Sequence, residues 1–349
     1  MTGHAWLVAG VPREIRHGGN VRAHHIFRVL AERTGASLVE STGARTLAAA
    51  IATRGEVRRP GGRLASAQLL TAAAIHLTGR LLEPAAVDLH DHPNLQAEAL
   101  GFPSDAETRK RVQRLVDANV QRFATIVVPS ATFAALCELP EDRTLEVPNG
   151  TDTQAIAYLP PPPDPVVGMV SGAAPGRGIE MLIQAFGVVA AAVPDVRLRL
   201  GLAATGAASQ RYLDRLRAAI RGRSDVSVAE VRHDELSTFL AGTTVLAVPH
   251  PPGDYMDAAV PVKLLDAMAA GRPVVVTPRL ETARIVGSCG SGVVSASDRV
   301  EDFAAALRDV LDNHDRAASM GERARRWATE RYDWQILGTR VADALLGPP

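Results

Sequence analysis

The chain has 349 residues, 46% of them hydrophobic and 22% charged, with 38 basic side chains against 38 acidic ones. That length predicts two domains rather than one, and the neutral balance excludes the global basicity of a nucleic-acid-binding protein. Cys137 and Cys289 are the two cysteines; they give neither a disulfide framework nor a metal spacing, so a reducing cytoplasm is expected.

The start, Met1–Gly10, lacks the basic region of a signal peptide, and no run approaches a membrane span. Ala5–Ala9 reads as the first strand. The loop Gly10–Gly19 follows, and Asn20 is the expected cap of a helix through Arg33, with Val21, Ile26, Val29 and Leu30 inward. Ser37–Val39 reads as the second strand. Strand, glycine loop, helix and strand open a nucleotide fold, here without the Gly-x-Gly-x-x-Gly fingerprint of dinucleotide cofactors.

Thr46–Ala52 and Arg63–Leu82 read as helices. Arg54, Arg58, Arg59 and Arg63 form either a solvated basic loop or a surface for anionic lipid or acceptor. Pro84–Leu89 reads as a strand running into Asp88, His90, Asp91 and His92. Phe102–Gln121 is a polar helix, Ala124–Pro129 a buried strand, and Ser130 the cap of a helix to about Leu139. Leu145–Val147 is a strand before Pro148, Asn149, Gly150, Thr151 and Asp152.

Pro160–Pro165 contains five prolines in six positions, the composition of a stiff linker. Beyond it, strands are expected at Val166–Val170, Val196–Gly201, Val226–Val228 and Val245–Val248. Helices are expected at Ile179–Ala192, Ser209–Arg221, His233–Ala241, Asp302–Leu311 and Asp315–Arg331. This alternation predicts an α/β fold of doubly wound sheets, which bind ligands at strand carboxyl ends.

The stretch 254–278 is the most informative. Pro261 suits the first position of a helix in which Val262, Leu265, Met268 and Ala269 face inward. Gly271 suits a left-handed cap, and Val274–Val276 a strand covered on both faces. Lys263 is one of only two lysines, the other being Lys110. Lys263 and Asp266, three apart, form either a surface ion pair or the start of an anion site with a carboxylate for a diol beyond it.

Taken together, these segments resemble the retaining GT-B glycosyltransferases of the GT4 family, which use nucleotide sugars. The resemblance rests on Gly18 and Gly19, Asp88–Asp91, Val127–Ser130, Val147–Asp152, Gly176–Phe186 and Lys263–Val276, in the family's order and across most of the chain. It implies two Rossmann-like domains facing each other across a cleft: 1–159 on the acceptor side, a linker 160–165, and 166–330 for the nucleotide sugar. A helix in 331–349 would pack back on the first domain. It implies that Gly18 and Gly19 let the backbone approach the donor phosphates, that Arg177 and Lys263 hold the diphosphate, and that Asp266 takes the ribose hydroxyls. His90 would lie near the transferred sugar. Asn149, Gly150, Asp254, Tyr255 and Val262 complete the implied donor set.

Two positions depart from the family pattern. Ala258 stands where the first glutamate of Glu-x7-Glu belongs, leaving Asp254 or Asp257 to substitute, and Gly172 stands where the family has an arginine. The implied activity is metal-independent hexosyl transfer from a UDP- or GDP-sugar, without a cofactor. The acceptor would belong to glycan, glycolipid or natural-product biosynthesis and be lipid-linked or small. The implied place is the cytoplasm, with peripheral membrane contact through the first domain, and nucleic acid is no partner. The rival readings are an epimerase-like enzyme and a non-catalytic nucleotide-sugar-binding protein.

Overall fold

A computed structural model describes residues 6–12, 18–41, 62–67 and 82–346. The chain forms two compact units. One comprises Met1–Gln96, Ser104–Asn149 and Trp334–Pro349, the other Ala97–Pro103 and Gly150–Asp333. The chain therefore passes from the first unit to the second at Asn149, ahead of the proline run, which lies inside the second unit.

In the first unit the described strands are β1 (Trp6–Pro12), β2 (Ser37–Ser41), β3 (Gly62–Ser66), β4 (Leu82–Asp88), β5 (Thr125–Val128) and β6 (Thr144–Glu146). They form a parallel sheet in the order β2-β1-β3-β4-β5-β6. The helix Gly18–Thr34 buries Val21, Ile26, Val29 and Leu30, the four positions its sequence pattern selects. It starts at Gly18, so Asn20 lies within its first turn and is not the cap. The helix Trp334–Leu346 packs along it, with the rings of Trp334 and His25 stacked 5.5 Å apart. Ser130 does cap its helix, Ala131–Leu136, accepting a 3.0 Å hydrogen bond from the amide of Phe133.

The expected helix Arg63–Leu82 is wrong at both ends. Gly62–Ser66 is a strand paired with β1 on one side and β4 on the other, and Leu82 opens β4. The local sequence Arg-Leu-Ala-Ser has little strand propensity, and pairing on both edges overrides it. The remainder of that expected helix, 68–81, and the expected helix Thr46–Ala52 with Arg54, Arg58 and Arg59, lie outside the described residues.

The second unit carries β7 (Val166–Gly172), β8 (Arg197–Ala203), β9 (Val226–Ala229), β10 (Val245–Val248), β11 (Val274–Val276) and β12 (Gly292–Val294). Their order is β12-β11-β10-β7-β8-β9, again all parallel. Successive residues of one strand enter opposite cores: Val245 and Ala247 join one hydrophobic cluster, Leu246 and Val248 the other. Val275 and its neighbours Val274 and Val276 divide in the same way. Burial on both faces is why these strands read as unbroken apolar runs.

Arg272 holds the proline run to this unit. Its side chain is fully buried and donates to the carbonyls of Thr243 (3.0 Å), Ala270 (3.1 Å), Pro160 (3.2 Å) and Leu159. Burial lowers the guanidinium to about 10, which leaves it charged at neutral pH. Arg272→Leu strands the buried carbonyls of Thr243 and Ala270, each costing about 1–3 kcal/mol. The urea unfolding midpoint should fall by an amount equivalent to at least about 2 kcal/mol, with an unchanged m-value.

Candidate active site

The second sheet reverses its strand order between β7 and β10. After β9 the chain returns to the other side of β7, and ligands of open α/β sheets bind at such a switch point, beyond the strand carboxyl ends. Beyond β7, the buried Ala173 and Ala174 lead into a tight turn, Pro175–Arg177, and then the helix Ile179–Ala190. Two glycines make the turn feasible. A Cβ on Gly176 would lie 1.7 Å from the carbonyl oxygen of Ala99, and one on Gly178 would lie 1.7 Å from that of Pro249. Gly178 also has φ +71°, the left-handed region. The turn thus places Arg177 at a helix start, where free amides and the dipole favour an anion.

Lys263 approaches from the helix Val262–Ala269, and its Nζ donates to Ser171 Oγ at the end of β7 (3.4 Å). Burial, reinforced by the like charge of Arg177, pushes its ammonium well below the usual lysine range. Pro261 is the cap of this helix and not its first residue. Gly271 has φ +74°, as its place after the helix requires. The strand Val274–Val276 follows as expected.

His250 was not singled out in the sequence. It follows β10, next to β7, and is fully buried with both ring nitrogens lacking a protein partner. Burial first, then the charges of Lys263, Arg177 and Arg279, hold the ring well below its usual range, so it is neutral at pH 7. The one available signal was its position at the carboxyl end of an apolar strand.

Other expected residues fall elsewhere. Asp257 accepts from the amide of Leu280 (3.2 Å) and pairs with Arg279 (3.5 Å), which also binds Asp298 (2.6 Å). Asp257 is therefore engaged at the start of the next helix. Asp254 is exposed and Tyr255 half-buried on the short helix Asp254–Ala258. Ala258 is buried, and Gly172 lies exposed with open space around it.

In the first unit, His90 follows β4. Its Nδ1 lies 2.6 Å from Asp88 Oδ2, and Asp88 is paired with the buried Arg22 at 2.9 Å. Burial opposes the imidazolium, but the Asp88 carboxylate outweighs it and His90 is held above its ordinary range. Asn149 Oδ1 accepts from Arg22 (3.4 Å). Gly18 and Gly19 open the first helix. Gly150 is the buried first residue of the stretch that continues the second unit.

Lys263 and Asp266 are not a surface pair. Asp266 is 5% exposed and accepts from Thr151 Oγ1 at 2.8 Å. Burial, with a smaller push from Asp152, raises its carboxyl from 3.8 to about 7. The folded state therefore holds this proton more tightly than the unfolded chain. The stabilisation is complete below pH 3.8 and is lost as the pH rises through about 7. Asn keeps an acceptor for Thr151 without a charge. Asp266→Asn should gain on the wild type by up to ~4 kcal/mol between pH 4 and pH 8, measured as a difference in denaturation midpoints.

Residues 164–313 match the family model described as glycosyl transferases group 1. A GDP-mannose-dependent alpha-(1-6)-phosphatidylinositol monomannoside mannosyltransferase of Mycolicibacterium smegmatis is 30% identical over 249 residues, 65% of this chain and 59% of that protein. A GDP-mannose-dependent monoacylated alpha-(1-6)-phosphatidylinositol monomannoside mannosyltransferase of Corynebacterium glutamicum is 29% identical over 192 residues, 53% of this chain and 48% of that one. The matched region thus spans about half to three-fifths of these curated relatives. Among solved structures, sucrose-phosphate synthase from Thermosynechococcus elongatus superposes with TM-score 0.74 at 14% identity, covering 97% of each chain. HepE from Anabaena in complex with UDP-glucose gives 0.73 at 17%, covering 98% of this chain and 100% of that one. Residues 164–313 are thus similar to the glycosyl transferases group 1 family, and the chain has the doubly wound fold of the GT-B glycosyltransferases.

Proposed function

We propose that the protein is a retaining glycosyltransferase that moves a hexose from a nucleoside-diphosphate donor to an acceptor of glycolipid type. One observation carries this reading: Arg177 at a helix start and Lys263 both lie at the β7–β10 switch point, inside the segment that matches the family. Departure of a nucleoside diphosphate concentrates negative charge on its β-phosphate. Fixed cations and oriented amides stabilise that charge more in the transition state than in the bound donor. Asp266 takes the ribose and His90 acts beside the transferred sugar. GDP-mannose is the first donor to test, because the similar mannosyltransferases are named for it. UDP-glucose is the second, because HepE was solved with it. An acceptor carried by lipid fits a protein at the membrane surface. Among the described residues, no helix is long and apolar enough to cross a membrane.

Thermal-shift measurements with GDP, UDP, ADP and their sugars test the donor class, since a ligand of the folded state raises the midpoint by mass action. One base should give the clear shift. Lys263→Ala and Arg177→Ala should each lower transfer by about 100-fold while remaining folded; full activity in both variants contradicts the phosphate assignment. Because two side-chain cations meet the diphosphate, transfer should survive EDTA, and abolition by EDTA with rescue by a divalent ion contradicts the metal-independent mechanism.

Ala258 and Gly172 favour a second reading. The positions of one family glutamate and one family arginine carry no functional group, which suits a protein that binds nucleotide sugars without turning them over. A nucleotide-induced shift without donor hydrolysis or transfer would select that reading.

A further inference from the structure

The first unit contains a buried ionic cluster. Arg22 projects from the helix Gly18–Thr34, and its side chain and that of Asp88 are 1% and 0% exposed. Arg22 Nε donates to both oxygens of Asp88, at 2.9 and 3.2 Å. Its Nη1 donates to the carbonyls of Val147 (2.7 Å) and Pro148 (3.0 Å) and to Asn149 Oδ1 (3.4 Å). The guanidinium therefore ties the end of β4 to the segment through which the chain leaves this unit.

Asp88 is held below the usual carboxylate range although burial raises it, because Arg22 and His90 both stabilise its charge. A carboxylate only accepts hydrogen bonds. The 2.6 Å contact with His90 Nδ1 thus requires a proton on that nitrogen. Nε2 is then the ring's uncommitted nitrogen, 3.9 Å from Asp91 Oδ2, and both His90 and Asp91 are half-buried. The charged groups that act on the ring are Asp88, Asp91 and Arg22.

We propose that Arg22 and Asp88 act as one positioning unit that fixes His90 as the Nδ1–H tautomer and presents Nε2 to the donor sugar. The part concerning the sugar rests on the reading of His90 given under the proposed function; the tautomer stands on the geometry alone. Neither residue touches substrate. Arg22 keeps Asp88 ionised and immobile, and Asp88 orients the imidazole, as carboxylates do for histidines in other sites. With Nδ1 committed, His90 offers a charged Nε2–H donor while protonated, a form that Asp88 favours, and an Nε2 lone pair once deprotonated.

The test uses the full chain with 15N-labelled histidine. In the wild type, the His90 resonance should report the Nδ1–H tautomer, with a titration midpoint above the ordinary 6.5. In Asp88→Asn the amide can accept or donate, so the tautomer should mix and the midpoint fall. Turnover of the donor should drop by about 10-fold or more, with KM changed by less than about twofold. The nucleoside-diphosphate thermal shift should persist. In a His90→Gln background, Asp88→Asn should cost little more, since the two residues act through one group.

An Nε2–H tautomer in the wild type overturns the proposal. So does an unchanged His90 titration in Asp88→Asn, or the same loss of turnover in the His90→Gln background. If Asp88→Asn fails to fold because Arg22 is stranded, the wild-type tautomer and midpoint decide. Absence of any nucleotide shift in the wild type would instead defeat the donor reading and with it the role toward the sugar.

Discussion

The reversal of strand order between β7 and β10 is the constraint on which the second unit's chemistry depends. Two parallel neighbours whose following segments leave in opposite directions open a gap beyond their carboxyl ends. The helix after β7 starts in that region, and the segment after β10 brings Pro249 against the turn. Gly176 and Gly178 are required there by contact with backbone oxygens and, for Gly178, by a left-handed conformation. Arg177 and Lys263 then add charge to a place that the backbone already favours for anions.

The distribution of cations follows a physical division of labour. Arg22, Arg272 and Arg325 all spread their guanidinium donors over backbone carbonyls where chain segments meet. Arg325, for example, donates to Ile156 (2.9 Å), Ala269 (2.8 Å) and Thr153 (2.8 Å). A planar fork with five donors suits that task. Lys263 does not do this. Its ammonium has a long contact to one hydroxyl and lies under the field of Arg177, so a negatively charged ligand would relieve both its desolvation and its repulsion.

The second unit was legible in the sequence because its strands are buried on both faces and punctuated by prolines and glycines. Val245–Val248 and Val274–Val276 fall where they were expected. The first unit was less so: Gly62–Ser66 has the composition of a helix and is a strand only because β1 and β4 pair with it. In the site, Lys263 and Arg177 could be found because charge and helix start coincide in sequence. Thr151 and Arg22 could not, since their roles depend on contacts between distant segments; Arg22 and Asp88 are 66 positions apart. The two candidate substitutes for the missing glutamate also looked alike in sequence. The structure separates them, because Asp257 binds Arg279 and Leu280 whereas Asp254 is exposed.

Under the proposed function, the β7–β10 switch point recognises a diphosphate through Arg177 and Lys263. Calorimetric titration of the wild type with a nucleoside, its monophosphate and its diphosphate addresses it most directly. The diphosphate should bind on the order of tenfold or more tightly than the monophosphate, since each charge-assisted contact is worth about 1.5–3 kcal/mol, and most of this difference should disappear in Lys263→Ala. Equal affinity for mono- and diphosphate, or a difference that survives Lys263→Ala and Arg177→Ala alike, would contradict it.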